Sequence, residues 1–168
     1  QNLNKLNDND ILGYRGVLYG SFMKCGDKIY IIEFNCRFGD PECILALHLL
    51  KTNFYRFMID LLGNNANYKL EFSKDAVIGT YLVPKTYPNY SNDKYDIYID
   101  KFNKLENLIF ANVEKVNNHL YSQNSRSIMY VNSNKDLYSC YHDLYENIEN
   151  IHGNFYYRKD IGAKYLSN

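Results

Sequence analysis

Residues 29–37 constrain the fold of this chain most, because an apolar run passes directly into regularly spaced polar side chains. The apolar run covers residues 29–32, and Glu33, Asn35 and Arg37 follow it at every second position. Residues two apart in an extended chain lie on the same face. The pattern therefore predicts a strand whose buried part is followed by three polar groups on one side.

These three polar groups are of the types that bind a metal ion and a phosphate together. Carboxylate and amide oxygens, as in Glu33 and Asn35, are the hard ligands that Mg²⁺ and Mn²⁺ prefer. A neighbouring guanidinium, as in Arg37, suits a phosphate oxygen that the same metal holds. The spacing is typical of a site for a metal-bound nucleotide or acyl phosphate. A polar turn that leaves the sheet has the same spacing and stays open as the alternative.

The segment before this run predicts a β-hairpin. Residues 16–23 and 28–34 read as its two strands, and Gly26-Asp27 supplies the turn between them. Tyr19 and Met23 on the first strand come beside the second strand, where we expect them to be packing residues.

A helix is expected directly after the polar residues. Asp40 before Pro41 is typical of a helix start, and the helix is predicted over residues 42–62. Residues 51–53 read as an interruption, and Gly63 ends the helix. Its predicted buried residues include Leu45, Leu49, Phe57, Met58, Leu61 and Leu62.

The second half of the chain predicts several strands covered by a helix. One apolar stripe recurs at three- and four-residue steps over residues 134–150, which indicates a helix. Strands with one or two covering helices form an α+β subdomain, and we expect its boundary near residue 70. The predicted strands are residues 75–83, 95–99, 108–116, 126–131 and 155–157.

The composition limits the partners of the chain. Its 168 residues suffice for one core and a smaller appended subdomain. The 19 basic and 19 acidic residues balance, so we expect neither a nucleic-acid nor an anionic-membrane partner. No apolar run of membrane-spanning length occurs. The four cysteines are irregularly spaced, which predicts free thiols and a reducing, cytoplasmic location.

Three blocks of the sequence carry a family resemblance. They are Gly16-Val17-Leu18-Tyr19-Gly20, then Ile32-Glu33-Phe34-Asn35-Cys36-Arg37-Phe38-Gly39-Asp40-Pro41-Glu42, and finally Tyr157-Arg158-Lys159-Asp160-Ile161-Gly162. In these blocks the chain resembles the phosphoribosylamine–glycine ligases, the glycinamide ribonucleotide synthetases of purine biosynthesis. The similarity runs from about Gly13 to Leu166, and it is most specific at its two ends.

The resemblance implies both an architecture and an incomplete chain. Residues 1–70 would be the C-terminal portion of an ATP-grasp domain, an antiparallel sheet with a helix, and residues 71–168 a small mixed α/β substrate-side subdomain. Family members are over twice this length, at roughly 100–200 residues a domain. The chain is therefore expected to be the C-terminal piece of a larger ligase, inactive alone, with the remainder of that ligase as its partner.

The resemblance also implies a reaction and a set of site residues. Glycine would be activated by ATP as glycyl phosphate and then joined to 5-phosphoribosylamine. Glu33 and Asn35 correspond to the family's ligands for Mg²⁺ or Mn²⁺, and Arg37 would neutralise charge on the transferred phosphoryl group.

The roles of the remaining candidates have a structural alternative. Asp40 and Glu42 would orient the incoming amine or the glycine ammonium, or else they only favour the start of the helix. Arg158 and Lys159 would hold the ribose phosphate of the substrate, with Asp160 fixing Arg158. A solvated charge cluster is the alternative for these three.

The chain departs from the family at three glycine-containing segments. They read here as residues 89–92, 110–113 and 123–126, which contain no glycine. Glycine allows a close backbone approach or a positive φ, and Asn substitutes only for the second of these. A catalytically degenerate relative that serves as a structural or binding module is therefore the second hypothesis for this chain.

Overall fold

The N-terminal part of the fold is an antiparallel hairpin. The structure, a computed structural model, describes Tyr14 and residues 16–63, 69–89, 92–100 and 105–166. Strand β1 (Tyr19–Cys25) pairs with β2 (Lys28–Asn35), and Gly26 turns the chain with a φ of 59°. The predicted hairpin is confirmed. The register shifts at Ser21 and Phe22, so that β2 contains one extra residue, a β-bulge.

Two short helices follow where one interrupted helix was predicted. Helix α1 (Glu42–Leu49) and helix α2 (Phe54–Leu62) are separated by four residues. The Asn53 side chain accepts a hydrogen bond from the Arg56 amide at 2.9 Å, which caps the start of α2. The interruption expected at residues 51–53 is thus confirmed, as is the end of the second helix at Gly63.

The C-terminal part contains two four-stranded antiparallel sheets and one helix, α3 (Leu137–Ile148). The first sheet has the order β10-β3-β8-β5 and the second the order β6-β7-β4-β9. Asp136 caps α3 by accepting a hydrogen bond from the Ser139 amide at 2.8 Å. The strands are β3 (Ala76–Pro84), β4 (Tyr95–Ile99), β5 (Leu108–Phe110), β6 (Val113–Val116), β7 (His119–Ser122), β8 (Ile128–Asn134), β9 (Ile151–His152) and β10 (Phe155–Tyr156).

One hydrophobic core joins α3 to both of these sheets. The helix packs on β3 and β8, and Ile97 and Ile151 of the second sheet belong to the same cluster. Burial of such apolar side chains is the main stabilising contribution to a domain of this size. The core residues are Ile78, Leu82, Ile97, Leu108, Ile128, Tyr130, Cys140, Leu144, Ile148 and Ile151.

The two sheets are joined by a very short link. The chain leaves β5 and enters β6 through Ala111 and Asn112. The Ala111 amide donates to the Ser127 carbonyl at 2.8 Å, and the Asn112 amide donates to the Arg126 carbonyl at 3.1 Å. Both linking residues are therefore held to the segment that leads into β8.

The chain divides into two compact units. The first comprises the chain up to Ala46 together with Leu50–Phe72, and the second comprises Leu47–Leu49 and the chain from Ser73 onward. Within the second unit, His48 Nε2 lies 3.1 Å from Ser133 Oγ, a contact between the end of α1 and β8.

Two predictions on burial are wrong for the first unit. The apolar run at residues 29–32 is exposed on β2, with Ile29 71% and Ile32 57% accessible. Neither of the two short helices contains a buried residue, and Leu62, which was predicted to be buried, is exposed. For the hairpin the physical reason is that its two strands have no third strand beside them among the described residues of this unit.

Two predictions on strands need correction as well. The strand expected over residues 108–116 is two strands in different sheets, and β7 was not predicted. Asn117 and Asn118, with φ of 47° and 68°, form the turn between β6 and β7. A two-residue loop with positive φ is the favoured hairpin turn, so this Asn pair was a usable signal.

The α+β class predicted from the sequence is confirmed, since every strand pairing of the described residues is antiparallel and the helices are separate from the strands. The four cysteines all carry free thiols, as predicted. None of the helices in the described part of the chain has the length and apolarity needed to cross a lipid bilayer.

Candidate functional site

The end of β2 brings two of the predicted site residues into contact. Asn35 Nδ2 donates a hydrogen bond to Glu33 Oε1 at 2.8 Å. A bulge re-aims the side chains that follow it, and here those side chains are Glu33 and Asn35. The period-two spacing of the sequence therefore gives the expected result, two oxygen-bearing side chains on one side of the strand.

Arg37 lies beyond the end of this strand. Strand β2 ends at Asn35, so the alternation of a strand does not extend to Arg37. Its Nη1 donates to the backbone carbonyl of Phe38 at 3.0 Å, which is a local contact. The positive charge of the guanidinium nevertheless acts on this group of residues, because it lowers the pKa of Tyr19.

Tyr19 belongs to this group, although the sequence suggested only a packing role for it. It lies opposite Asn35 in the hairpin register. A Cβ atom added at Gly39 would come within 2.6 Å of Tyr19 Cε2 and 2.8 Å of Glu42 Oε2. Only glycine at position 39 leaves room for the ring and the carboxylate to meet. The spacing of the sequence alone provides no signal for this contact, because it depends on the hairpin register.

The ionisation of Tyr19 reflects the charges around it. Desolvation raises the pKa of its phenol, and the hydrogen bond to Glu42 and the charges of Glu42 and Glu33 raise it further, whereas Arg37 lowers it. The phenol therefore stays protonated at neutral pH and donates to the Glu42 carboxylate. Three of the predicted site residues, Glu33, Arg37 and Glu42, thus act on one hydroxyl group.

Asp40 lies in the turn that precedes α1, and the helix itself begins at Glu42. Burial raises the pKa of the Cys43 thiol, and the carboxylates of Asp40 and Glu42 raise it further. Both acidic side chains are therefore close enough to Cys43 for their charges to act on its thiol. The start of α1 is consequently an acidic edge of the first unit.

The donor set at the end of β2 fits a divalent cation that is bound mainly by other ligands. No three His, Cys, Asp or Glu side chains come together as a metal site in the part of the chain that the structure describes. Glu33 and Asn35 together offer carboxylate and amide oxygens, and rotation of the amide exchanges its donor for its acceptor. Mg²⁺ is usually held by one or two carboxylates together with substrate phosphates and water. A two-residue oxygen set is thus the kind expected for such an ion.

The second unit holds the other predicted group, at residues 158–160. Arg158 Nε and Nη2 donate to the two carboxylate oxygens of Asp160 at 3.0 Å and 2.6 Å, a bidentate ion pair. This contact raises the pKa of Arg158 and lowers the pKa of Asp160. Lys159 Nζ lies 5.7 Å from the centre of the Tyr157 ring. The sequence prediction that Asp160 contacts Arg158 agrees with this geometry.

Lys159 and Asp160, but not Arg158, line an open pocket of about 480 Å³. Its lining combines aromatic rings with one cationic and one anionic side chain, and both charged residues are exposed. Pockets with an apolar lining and a few convergent polar groups are the usual form of a small-molecule site. The lining residues are Phe155, Tyr156, Tyr157, Lys159 and Asp160.

Two of the three segments that depart from the family, residues 110–113 and 123–126, carry no backbone strain. Among the described residues, positive φ in residues other than glycine occurs at Asn117 and Asn118, outside residues 110–113 and 123–126. Replacement of glycine in these two segments therefore costs the fold nothing in backbone conformation. Residues 90 and 91 of the remaining segment lie outside the described residues.

Comparison with known proteins gives matches along nearly the whole chain. The family model for the phosphoribosylglycinamide synthetase C domain matches residues 77–164, and that for the ATP-grasp (A) domain of the same synthetase matches residues 1–43. A curated phosphoribosylamine–glycine ligase of Methanosarcina barkeri is 31% identical over 156 residues, which are 92% of this chain and 36% of the relative. That of Methanocella arvoryzae is 36% identical over 155 residues, 91% of this chain and 35% of the relative.

A solved structure agrees with the fold. The crystal structure of phosphoribosylamine–glycine ligase from Thermotoga maritima superposes with a TM-score of 0.69 at 23% identity, over 85% of this chain and 36% of that one. The chain thus spans about a third of the length of the curated relatives that it matches. Because the C-domain match alone covers more than half of its residues, the chain belongs to the phosphoribosylglycinamide synthetase family.

Proposed function

We propose that this chain is the C-terminal part of an ATP-dependent ligase that joins glycine to 5-phosphoribosylamine. The observation that carries the proposal is the contact between Glu33 and Asn35 at the end of β2 in a chain of this family. Glycine's carboxylate attacks the γ-phosphate of ATP and displaces ADP to give glycyl phosphate, and the amine of 5-phosphoribosylamine then attacks the acyl carbon, forming the amide and releasing phosphate. The protein's task is to align these anionic groups and to offset their charge.

Glu33 and Asn35 hold a divalent ion, Mg²⁺ or Mn²⁺, in this proposal. When bound, such an ion supplies charge neutralisation at the phosphate oxygens of ATP. Two protein ligands leave most of its coordination sphere for phosphate and water. The contact of 2.8 Å between the two side chains supports their joint role, because it requires them to point to the same place.

Arg37, Asp40 and Glu42 act on the reacting groups. Arg37 neutralises the transferred phosphoryl group, since a guanidinium matches the geometry of phosphate oxygens. Asp40 and Glu42 orient the ammonium of glycine or the incoming amine through charge-assisted hydrogen bonds. The acidic edge at the start of α1 supports this assignment, and the hydroxyl of Tyr19 keeps the Glu42 carboxylate in a fixed direction.

Arg158 and Lys159 hold the phosphate of 5-phosphoribosylamine, and Asp160 orients Arg158. A guanidinium has five N–H donors, and the ion pair with Asp160 occupies one hydrogen on each of two nitrogens. The outer donors of Arg158 thus remain available to a phosphate. The aromatic lining of the adjacent pocket offers an apolar surface to the sugar ring.

The chain works as part of a longer ligase in this proposal, with residues 1–70 in the ATP-grasp domain and 71–168 in the substrate-side subdomain. The exposed apolar residues of the β1–β2 hairpin, such as Ile29 and Phe34, support a further protein segment as their partner. The chain's length relative to the ligases it matches agrees with this. Four free thiols suit a reducing, cytoplasmic compartment.

The test is the double variant Glu33→Gln with Asn35→Ala in the full-length polypeptide that contains this sequence. We expect kcat for glycinamide ribonucleotide formation to fall by on the order of 10³-fold, because removing one group that offsets transition-state charge costs about 10²–10³ and two groups that act as a unit are not additive. The matched control is Glu71→Gln, an exposed carboxylate of the same unit, which should retain activity. Near-normal turnover in the double variant, with normal circular dichroism, would remove the metal assignment.

The degenerate-relative hypothesis is separated by the same assay. It predicts that the full-length protein has no ligase activity even with Glu33 and Asn35 intact. The absence of backbone strain at residues 110–113 and 123–126 argues that the missing glycines did not have to be retained for the fold.

A further inference from the structure

Two tyrosines of α3 contact the backbone of the segment that contains the charged residues 158–160. Tyr141 and Tyr145 lie one turn apart on the helix, and their ring centres are 4.6 Å apart. The Tyr145 ring also stacks on Tyr157 at 6.3 Å, next to the pocket. Neither tyrosine lines the pocket itself, and neither was singled out for a function from the sequence.

Both hydroxyl groups bind backbone atoms of the charged segment. Tyr141 Oη donates to the Lys159 carbonyl at 3.1 Å. Tyr145 Oη lies 3.0 Å from the Arg158 carbonyl and 3.3 Å from the Ile161 carbonyl. The two hydroxyls therefore lie within hydrogen-bond distance of three of the four backbone carbonyls of residues 158–161, and Tyr145 shares its single proton between two of them.

The segment has a third attachment at its end. Gly162 has a φ of 86°, and a Cβ atom there would come within 2.7 Å of Ile78 Cδ1 and 3.4 Å of Tyr141 Cδ2. The chain thus returns against β3 and the helix directly after residue 161. Residues 158–161 are held at their backbone, whereas the side chains of Arg158, Lys159 and Asp160 are exposed.

Contacts that fix the backbone of residues 158–161 also restrict the side chains that the segment exposes. A backbone fixed through its carbonyls has fewer conformations, and exposed ion pairs are otherwise weak and mobile. The Arg158–Asp160 pair spans only two residues, so its geometry depends on the backbone between them. Preorganisation of this kind lowers the entropic cost of binding a ligand.

We propose that Tyr141 and Tyr145 are positioning residues that fix the segment 158–161 so that Arg158 and Lys159 bind the substrate phosphate. This inference rests on the proposed function of Arg158. The tyrosines touch neither substrate nor reacting atoms in this account. They act through the backbone carbonyls, and their effect belongs to the binding of the phosphorylated substrate.

The experiment compares Tyr141→Phe with Tyr145→Phe, alone and combined, in the full-length ligase polypeptide. The expected result for the double variant is a rise of about tenfold in KM for 5-phosphoribosylamine, from the loss of two hydrogen bonds. The values of kcat and of KM for ATP and glycine should stay within about twofold, because these hydroxyls do not act on the chemical step. The control is Tyr138→Phe, an exposed tyrosine of the same helix, which should change none of these constants.

Arg158→Ala distinguishes the failure of this inference from that of the proposed function. If Arg158→Ala raises KM for 5-phosphoribosylamine and the double tyrosine variant does not, the positioning role is overturned. If Arg158→Ala leaves that KM unchanged, the phosphate-binding role of the segment fails and the inference falls with it. A double tyrosine variant that lowers kcat and raises all three KM values equally has only lost stability, which also contradicts the proposal.

Discussion

Burial, a neighbouring charge and hydrogen bonding all act on the Tyr145 hydroxyl. Burial raises its pKa to about 12, and the charge of Tyr141 contributes in the same direction. The protonated form is therefore favoured in the folded state. That is the form that can donate to the carbonyls of residues 158 and 161.

The pH dependence of Tyr145 follows with a definite sign. A tyrosine whose pKa rises on folding stabilises the fold while its phenol is protonated. Its contribution is complete below pH 10, the ordinary value, and is lost as the pH rises through about 12. The difference in ultraviolet titration between the wild type and Tyr145→Phe should show one phenol that ionises near pH 12.

The same titration on Tyr138→Phe provides the matched comparison, because Tyr138 lies on the same helix and is exposed. A Tyr145 difference curve centred near pH 10 would contradict the burial of this hydroxyl. It would also weaken the account of how the segment 158–161 is held.

The two side-chain contacts of the candidate site differ in how far the sequence could predict them. The contact of Glu33 with Asn35 follows from the two-residue period of a strand, which is a local property. The contact of Tyr19 with Glu42 depends on the hairpin register and on a turn that brings Gly39 beneath the ring. Neither of these can be read from spacing alone, and so Tyr19 was interpreted as a packing residue.

At the scale of elements, features with local causes were predictable and features of pairing were not. The caps at Asn53 and Asp136 and the turn at Gly26 are decided by neighbouring residues. Strand pairing is decided by distant ones. The run at 108–116 has strand character throughout, yet its halves pair with β8 and with β7 in different sheets.

Gly162 offers a test of the element that ends the charged segment. Gly162→Ala should lower the free energy of unfolding by about 3 kcal/mol, because the positive φ and the contact with Ile78 both oppose a Cβ atom. Asn118→Ala is the control, since Asn118 has a φ of 68° in an exposed turn of the same unit. That variant should cost only about 1 kcal/mol.

Urea unfolding followed by circular dichroism measures both variants of this pair. Equal losses for Gly162→Ala and Asn118→Ala would mean that backbone conformation alone accounts for the effect. In that case Ile78 would not restrict the end of the segment, and the third attachment of residues 158–161 would be in error.

For the molecule as a whole, the two units differ in how far they bury their apolar side chains. Ile128 in the second unit is fully buried, whereas Ile29 in the first is 71% accessible. Contiguous apolar surface of this kind usually belongs to an interface. The second unit has a core of its own. The hairpin of the first unit exposes apolar side chains of the kind that are normally buried.

The chain by itself should therefore not bind ATP–Mg²⁺ appreciably. A nucleotide cleft needs more than the two side chains of β2 that we propose as metal ligands, and the chain spans about a third of the ligases it matches. Isothermal titration of ATP–Mg²⁺ into the chain should give no saturable heat at micromolar concentrations. The full-length polypeptide, titrated under the same conditions, is the positive control, and micromolar binding by the chain alone would contradict the proposed incompleteness.

The two-residue link at Ala111 and Asn112 has a mechanical consequence for the second unit. Both amides donate to backbone carbonyls of the segment that leads into β8, at 2.8 Å and 3.1 Å. A force applied to one sheet is therefore transmitted to the other through only two residues, which cannot extend further to absorb it. Under load, the unit should yield as one elastic element and give a single rupture event.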